Sequence, residues 1–213
     1  MIIKYLHIHR TVILLFTFLM ATAMGISSVT AQEDQSPRVI EEMSIGNLDS
    51  SVTFVEYASF TCPHCASFHR NAYPQLKENY IDTGLIKFEV REIIWDKPAW
   101  VASIIGRCSG PEKFFHYLDP LYEKQAEWSR VETLGEAASR LTSIALSVGF
   151  DKEEIDSCLR DVDFHSLILQ NAQDSATAND ISSTPTFRIN GKNYSNTSYE
   201  ELVEIIENLL NRT

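Results

Sequence analysis

Only four residues separate a strand-like stretch, Val52-Thr53-Phe54-Val55-Glu56-Tyr57, from a helix-like stretch that opens with Cys62-Pro63-His64-Cys65. β-branched and aromatic residues mark the first stretch as a strand. In the second, Phe68 and Ala72 stand at helical spacing from Cys65, and Leu76 and Tyr80 extend the same apolar stripe. A strand thus turns directly into a helix, with two thiols on the turn. Pro63 suits a first helical turn, where a missing N–H costs nothing, while Pro74 inside the stripe predicts a kink.

The rest of the chain builds around this unit. Residues 86–93 alternate apolar and charged side chains, which predicts a second strand with one buried face. Strand, helix and strand in that order predict a βαβ unit with parallel strands. Helical patterns follow over 98–108, 112–127, 131–148, 151–159 and 164–179, with Ser129 and Asp151 read as helix starts and Gly149 as a C-terminal cap. The β signature returns at Thr184-Pro185-Thr186-Phe187-Arg188-Ile189, followed by an Asn190-Gly191 hairpin turn and Lys192-Asn193-Tyr194. An amphipathic helix over 199–210 closes the chain. The expected architecture is α/β: a β-α-β half over 45–95, a helical insertion over 96–180 and a β-β-α half over 181–213. Residues 32–44 read as a polar, flexible lead-in, and 45–50 as a turn into the first central strand.

Lys4, His7, His9 and Arg10 precede the apolar run 12–20, and Val29 and Ala31 are small residues at the −3 and −1 positions of a cleavage site. This is the pattern of a secretory signal peptide cut after Ala31, since the run is shorter than the roughly 20 residues a membrane span needs. Cleavage removes two bases and no acid, taking the formal charge from −11 to −13. Such an acidic chain is a poor partner for nucleic acid. Export places it in an oxidising compartment, where disulfides persist.

Two cysteines with two residues between them can be half of a zinc site or a redox pair. The helix start favours the second reading, because unpaired N–H groups and the helix dipole stabilise a thiolate on Cys62. His64, between the sulfurs, can add charge or a hydrogen bond. A stabilised thiolate is a good leaving group, which makes the disulfide easy to reduce. His69, His116 and His165 lack the paired spacing of a metal site and read as structural or exposed.

Phe60-Thr61-Cys62-Pro63-His64-Cys65 after a strand carrying Glu56, the helical insertion, and Thr184-Pro185-Thr186-Phe187 before a hairpin together resemble the DsbA family of thioredoxin-fold thiol oxidases. The resemblance covers roughly residues 40–212. It implies a periplasmic enzyme that passes its disulfide to exported polypeptides with free thiols and is reoxidised by a membrane partner of the DsbB type, with no cofactor. It aligns Glu56 with the family's acidic residue beneath the dithiol, suited to proton transfer for Cys65. It also places a cis-proline at Pro185, with Thr184 offering backbone groups to an extended substrate. Many DsbA oxidases carry Val before that proline, whereas Thr occurs in disulfide isomerases and in some divergent DsbA proteins, so an isomerase or reductase of the same fold is the alternative. A metallochaperone using Cys62, Cys65 and His64 is the alternative from another class.

Four cysteines allow three pairings. The pair Cys108 and Cys158 resembles the second, structural disulfide of some alphaproteobacterial DsbA proteins, with two buried free thiols as the other possibility.

Overall fold

The computed structural model describes residues 40–195 and 197–212. The expected signal peptide and residues 32–39 of the expected lead-in lie outside the described residues. Five strands form one mixed sheet: β1 Met43–Gly46, β2 Thr53–Ala58, β3 Lys87–Glu92, β4 Thr186–Ile189 and β5 Lys192–Ser195, in the order β1-β3-β2-β4-β5. β2 and β3 run parallel, from Thr53 opposite Lys87 to Ala58 opposite Glu92, and every other pair is antiparallel. Helix α1, Pro63–Asn71, lies within the crossover that the parallel pair requires.

The sheet corrects two expectations. Met43–Gly46 is an edge strand, not the end of a flexible lead-in followed by a turn. Met43 is fully buried and Ile45 lies on the same face, a period-two pattern too short to stand out until β3 pairs with it. Gly46 ends the strand at φ +85°, where a Cβ would stand 2.4 Å from the Ile86 carbonyl oxygen, so a larger residue does not fit. In β3 the charged residues are not all turned to water. Glu92 shares the face of Phe88 and Val90 and takes two hydrogen bonds from Arg107, while Glu89, on the other face, is buried beside Arg91. The alternation therefore separates two covered faces.

Pro74 does more than kink its helix. α1 stops at Asn71, a short α2 follows over Tyr73–Leu76, and a π turn spans Lys77–Ile81, with the Asp82 N–H donating to the Lys77 carbonyl at 2.9 Å. Proline cannot supply the N–H that a continuous helix would aim at the Arg70 carbonyl. The intervening helices are α3 Lys97–Arg107, α4 Gly110–Glu123, α5 Gln125–Ser129, α6 Leu134–Ser147, α7 Lys152–Arg160 and α8 Val162–Ala178. The single helix expected over 112–127 is thus two, turning at Lys124. The helix expected to start at Ser129 begins instead after Thr133, whose hydroxyl accepts from the Glu136 N–H at 3.2 Å. Thr133 and Glu136 stand at capping-box spacing, a stronger start signal than Ser129. Cys108, capping α3, is disulfide-bonded to Cys158 in α7. α9, Tyr199–Leu210, opens with a capping box between Ser198 and Glu201.

Phe54, Phe88 and Phe187, from three adjacent strands, meet at centroid distances of 5.4–5.6 Å, and Phe68 of α1 packs on Phe187 at 4.7 Å. Each such pair adds about 0.5–1.5 kcal/mol beyond the area it buries. This aromatic layer anchors α1 across the sheet and fixes its N-terminus at the C-terminal end of β2.

Candidate active site

Cys62 is the N-cap residue of α1, with Pro63 in the first turn. Three contacts hold this turn in place. Gln125, at the start of α5, donates from Nε2 to the carbonyls of Phe60 (2.8 Å) and Cys62 (2.9 Å). Thr61 Oγ1 donates to Asp96 Oδ2 at 2.6 Å, while Asp96 Oδ1 caps α3 by accepting from the Ala99 N–H at 2.8 Å. The Cys62 N–H closes the turn onto the Ser59 carbonyl at 3.0 Å. The dithiol is therefore clamped by the helical insertion as well as by its own strand and helix.

The Thr184–Pro185 peptide bond is cis, and the Cys62 thiol donates to the Thr184 carbonyl oxygen at 3.4 Å. This contact spans 122 residues of sequence and brings the β-β-α half onto the turn. The two thiols are free and in different surroundings: Cys62 is half-buried, Cys65 fully buried. The Cys62 thiol is pushed down to about 5, above all by the hydrogen bond from Cys65. The Thr184 side chain and the backbone N–H groups of Cys65 and His64 favour the thiolate further, against the opposing effect of burial. The Thr184 hydroxyl has no hydrogen-bond partner among the described residues while Cys62 is a thiol donating to the neighbouring carbonyl, so it is available to a thiolate. Burial drives the Cys65 thiol far above the ordinary range, helped by its bond to Cys62 and by the negative charges of Glu56 and Cys62. One sulfur is held ready as a thiolate and the other as a thiol.

Glu56 lies in the middle of β2 with its side chain on the face covered by α1, fully buried. It does not face solvent. Its Oε2 is 2.9 Å from His69 Nε2, and His69 is itself 4% exposed. His69 stands one helical turn beyond Cys65, stacked on the Tyr122 ring at 4.3 Å. Buried and paired with the carboxylate beneath the dithiol, it fits the structural reading of this histidine. Its i+4 spacing from Cys65 was the available signal. Gln125 and Asp96 carry no sequence signal, because their roles depend on how the insertion docks.

The remaining expected residues are dispersed. His64 is exposed beside Cys62, and His116 is exposed on α4. His165 pairs through Nε2 with the Cys158 carbonyl oxygen at 2.8 Å. Among the described residues no three His, Cys, Asp or Glu side chains converge on a point that could hold a metal ion.

A mixed sheet with a dithiol at a helix N-terminus, a cis-proline against it and helices inserted after β3 defines a thioredoxin-fold thiol–disulfide oxidoreductase of the DsbA type. The thioredoxin family model matches residues 38–208, and the chain belongs to that family. It is 35% identical over 191 residues to a Rickettsia bellii protein provisionally named protein-disulfide oxidoreductase, covering 84% of this chain and 73% of that one. It is 28% identical over 199 residues to disulfide bond formation protein D of Bacillus subtilis, covering 87% and 83%. The chain spans between 60% and 73% of the length of five rickettsial relatives. Among solved structures, BdbD from Bacillus subtilis superposes with a TM-score of 0.71 at 26% identity, over 80% of this chain and 93% of that chain. Wolbachia pipientis alpha-DsbA1 shares the fold with a TM-score of 0.71 at 23% identity, over 82% and 94%. The enzyme is a DsbA-like protein-disulfide oxidoreductase.

Proposed function

We propose that this oxidoreductase works as an oxidase outside the cytoplasm, passing the Cys62–Cys65 disulfide to exported polypeptides with free thiols. The observation that carries this direction is the split between the two sulfurs: Cys62 titrates near 5 and Cys65 far above the ordinary thiol range. A thiolate stabilised in the dithiol form favours that form, and so makes the disulfide a strong acceptor of electrons.

A substrate thiolate attacks Cys62 Sγ, the S–S bond breaks, and its electron pair leaves on Cys65, which takes up a proton. A second substrate thiol, deprotonated to solvent, attacks the substrate sulfur of the mixed disulfide and releases Cys62 as the thiolate. The substrate is oxidised by two electrons and the enzyme reduced by two. Glu56 is the proton donor for Cys65 in this reading, and Pro185 with the Thr184 backbone seats the extended substrate. A cavity of about 410 Å³ between His64, Phe68, Pro185 and Tyr199 adjoins that seat. The Cys108–Cys158 disulfide braces the insertion that carries Gln125.

The signal-peptide pattern of residues 1–31 supports location in the periplasm, and no described helix is long and apolar enough to cross a membrane. A membrane reoxidant of the DsbB type would return the dithiol to the disulfide. Thr184 before the cis-proline favours a second reading, disulfide isomerase. The test incubates oxidised mature protein with a reduced, unfolded substrate, and reduced protein with a scrambled one. An oxidase converts the first and not the second, Cys62→Ser and Cys65→Ser each abolish transfer to the reduced substrate because neither can hold the disulfide, and the Cys62 thiolate of Cys65→Ser traps a mixed disulfide with the scrambled substrate. Conversion of the scrambled substrate alone assigns the chain to the isomerases.

A further inference from the structure

The buried Glu56–His69 pair has a second side. Glu56 Oε1 and His69 Nδ1 have no hydrogen-bond partner among the described residues, although both residues are buried. His69 also lines a cavity of about 540 Å³ between α1, the π turn and α4. Polar and charged side chains line it together with Pro74. From its own helix comes Arg70, from α2 Tyr73, and from the π turn and its end Lys77, Glu78 and Asp82. From α4 come Asp119, Tyr122 and Glu123. Four carboxylates face two cations there, and the phenols of Tyr73 and Tyr122 are held protonated by burial and by nearby carboxylates, so neither gives up a proton. On its inner side the titratable partner of His69 among the described residues is Glu56, through Nε2. His69 pairs one ring nitrogen with a buried carboxyl, its other nitrogen is buried and unpaired, and the residue lines the cavity, so the imidazole can take a proton at one nitrogen and give it at the other.

We propose that His69 is a positioning and relay residue through which Cys65 exchanges its proton with solvent, by way of Glu56 and the α1–α4 cavity and not across the Cys62 face. The inference rests on the reading of Glu56 as proton donor to Cys65. When the disulfide opens, Cys65 takes the Glu56 carboxyl proton, Glu56 takes the proton on His69 Nε2, and His69 gains one at Nδ1 from water in the cavity. Each bond to hydrogen that breaks is matched by one that forms, and one solvent proton ends on Cys65. Reoxidation runs the same path outward. Cys65 is fully buried, which gives the relay its purpose.

The test measures reduction of the oxidised mature protein by dithiothreitol between pH 5 and 9 for wild type, Glu56→Gln, His69→Gln and the double variant. His69→Gln keeps an N–H for Glu56 and cannot relay a proton. It is expected to slow the reaction about 10²-fold, the lower end of general acid–base contributions, and to flatten the pH profile. Glu56→Gln is expected to be as slow, and the double variant no slower than either. His69→Ala, which opens the site to the cavity, is expected to regain rate with added imidazoles in order of their basicity, a response that a packing defect lacks. Wild-type rate and profile in His69→Gln with a slow Glu56→Gln overturns the relay and leaves the Glu56 reading intact. Wild-type behaviour in Glu56→Gln overturns that reading itself. Additive losses in the double variant overturn the serial path, and if His69→Ala does not fold, His69→Gln and the double variant decide.

Discussion

Acidifying the reduced protein from pH 7 to pH 5 removes most of the stability that the Cys62 thiolate contributes. Cys62 titrates at about 5 in the folded dithiol, against an ordinary value of 9.0. The folded value is the lower, so the contribution is complete above pH 9, partial between 5 and 9, and lost as pH falls through 5. At pH 7 the folded thiolate outweighs its protonated form about a hundredfold while the unfolded residue is almost wholly a thiol, a gain of up to about 2.7 kcal/mol. At pH 5 the gain falls to about 0.4 kcal/mol. Partial exposure of Cys62 screens its charge, which makes both figures upper bounds. The oxidised protein has neither thiol, and Cys65, pushed upward by burial from an ordinary value of 9.0, stays protonated in the folded and the unfolded chain between pH 7 and pH 5, so it adds nothing to the change over that range. Thermal unfolding of both forms across this range should therefore show the Tm advantage of the reduced form shrinking on acidification. The lost 2.3 kcal/mol corresponds to about 5–9 °C for a domain of this size. A difference that stays constant from pH 9 to pH 5, or that widens toward acid, refutes the reasoning that Cys62 is the stabilised thiolate.

Gln125→Ala leaves the Phe60 and Cys62 carbonyls without their clamp and should lower stability by about 1–3 kcal/mol in urea unfolding, with a further rise in hydrogen exchange at residues 60–66. Cys108→Ser with Cys158→Ser opens a loop of 50 residues and should cost up to about 4 kcal/mol by the same assay while leaving the Cys62 thiolate absorbance near wild type. Arg107→Ala strands the buried Glu92 carboxylate, an expected loss of about 3–5 kcal/mol that Glu92→Gln in the same chain should partly restore.

Local signals decided where the sequence could be read. The strand at Val52, the helix start at Pro63 and the hairpin at Asn190-Gly191 each rest on a few neighbouring residues, and the parallel β2–β3 pair follows from their order. Boundaries failed where a stronger signal lay nearby or where pairing was long-range. Thr133 with Glu136 outcompetes Ser129 as a helix start, and Met43 becomes a strand only because β3 offers an edge. The site divides in the same way. The two thiols stand within one turn of each other and could be read directly. Whether Glu56 faces water or the core depends on which face α1 covers, and the Glu56–His69 contact bridges strand and helix across 13 residues. Gln125 and Asp96 reach the turn from 63 and 35 residues away, through the docking of the insertion, which no local pattern encodes.

On the proposed function, the uneven environment of Cys62 and Cys65 makes their disulfide an oxidant. Equilibrating purified mature protein with glutathione redox buffers at pH 7, beside a control carrying Cys108→Ser and Cys158→Ser, measures it directly. The expected potential is at or above about −180 mV in both proteins, on the oxidising side of the glutathione couple. A potential below about −250 mV, in the range of cytosolic reductants, contradicts it.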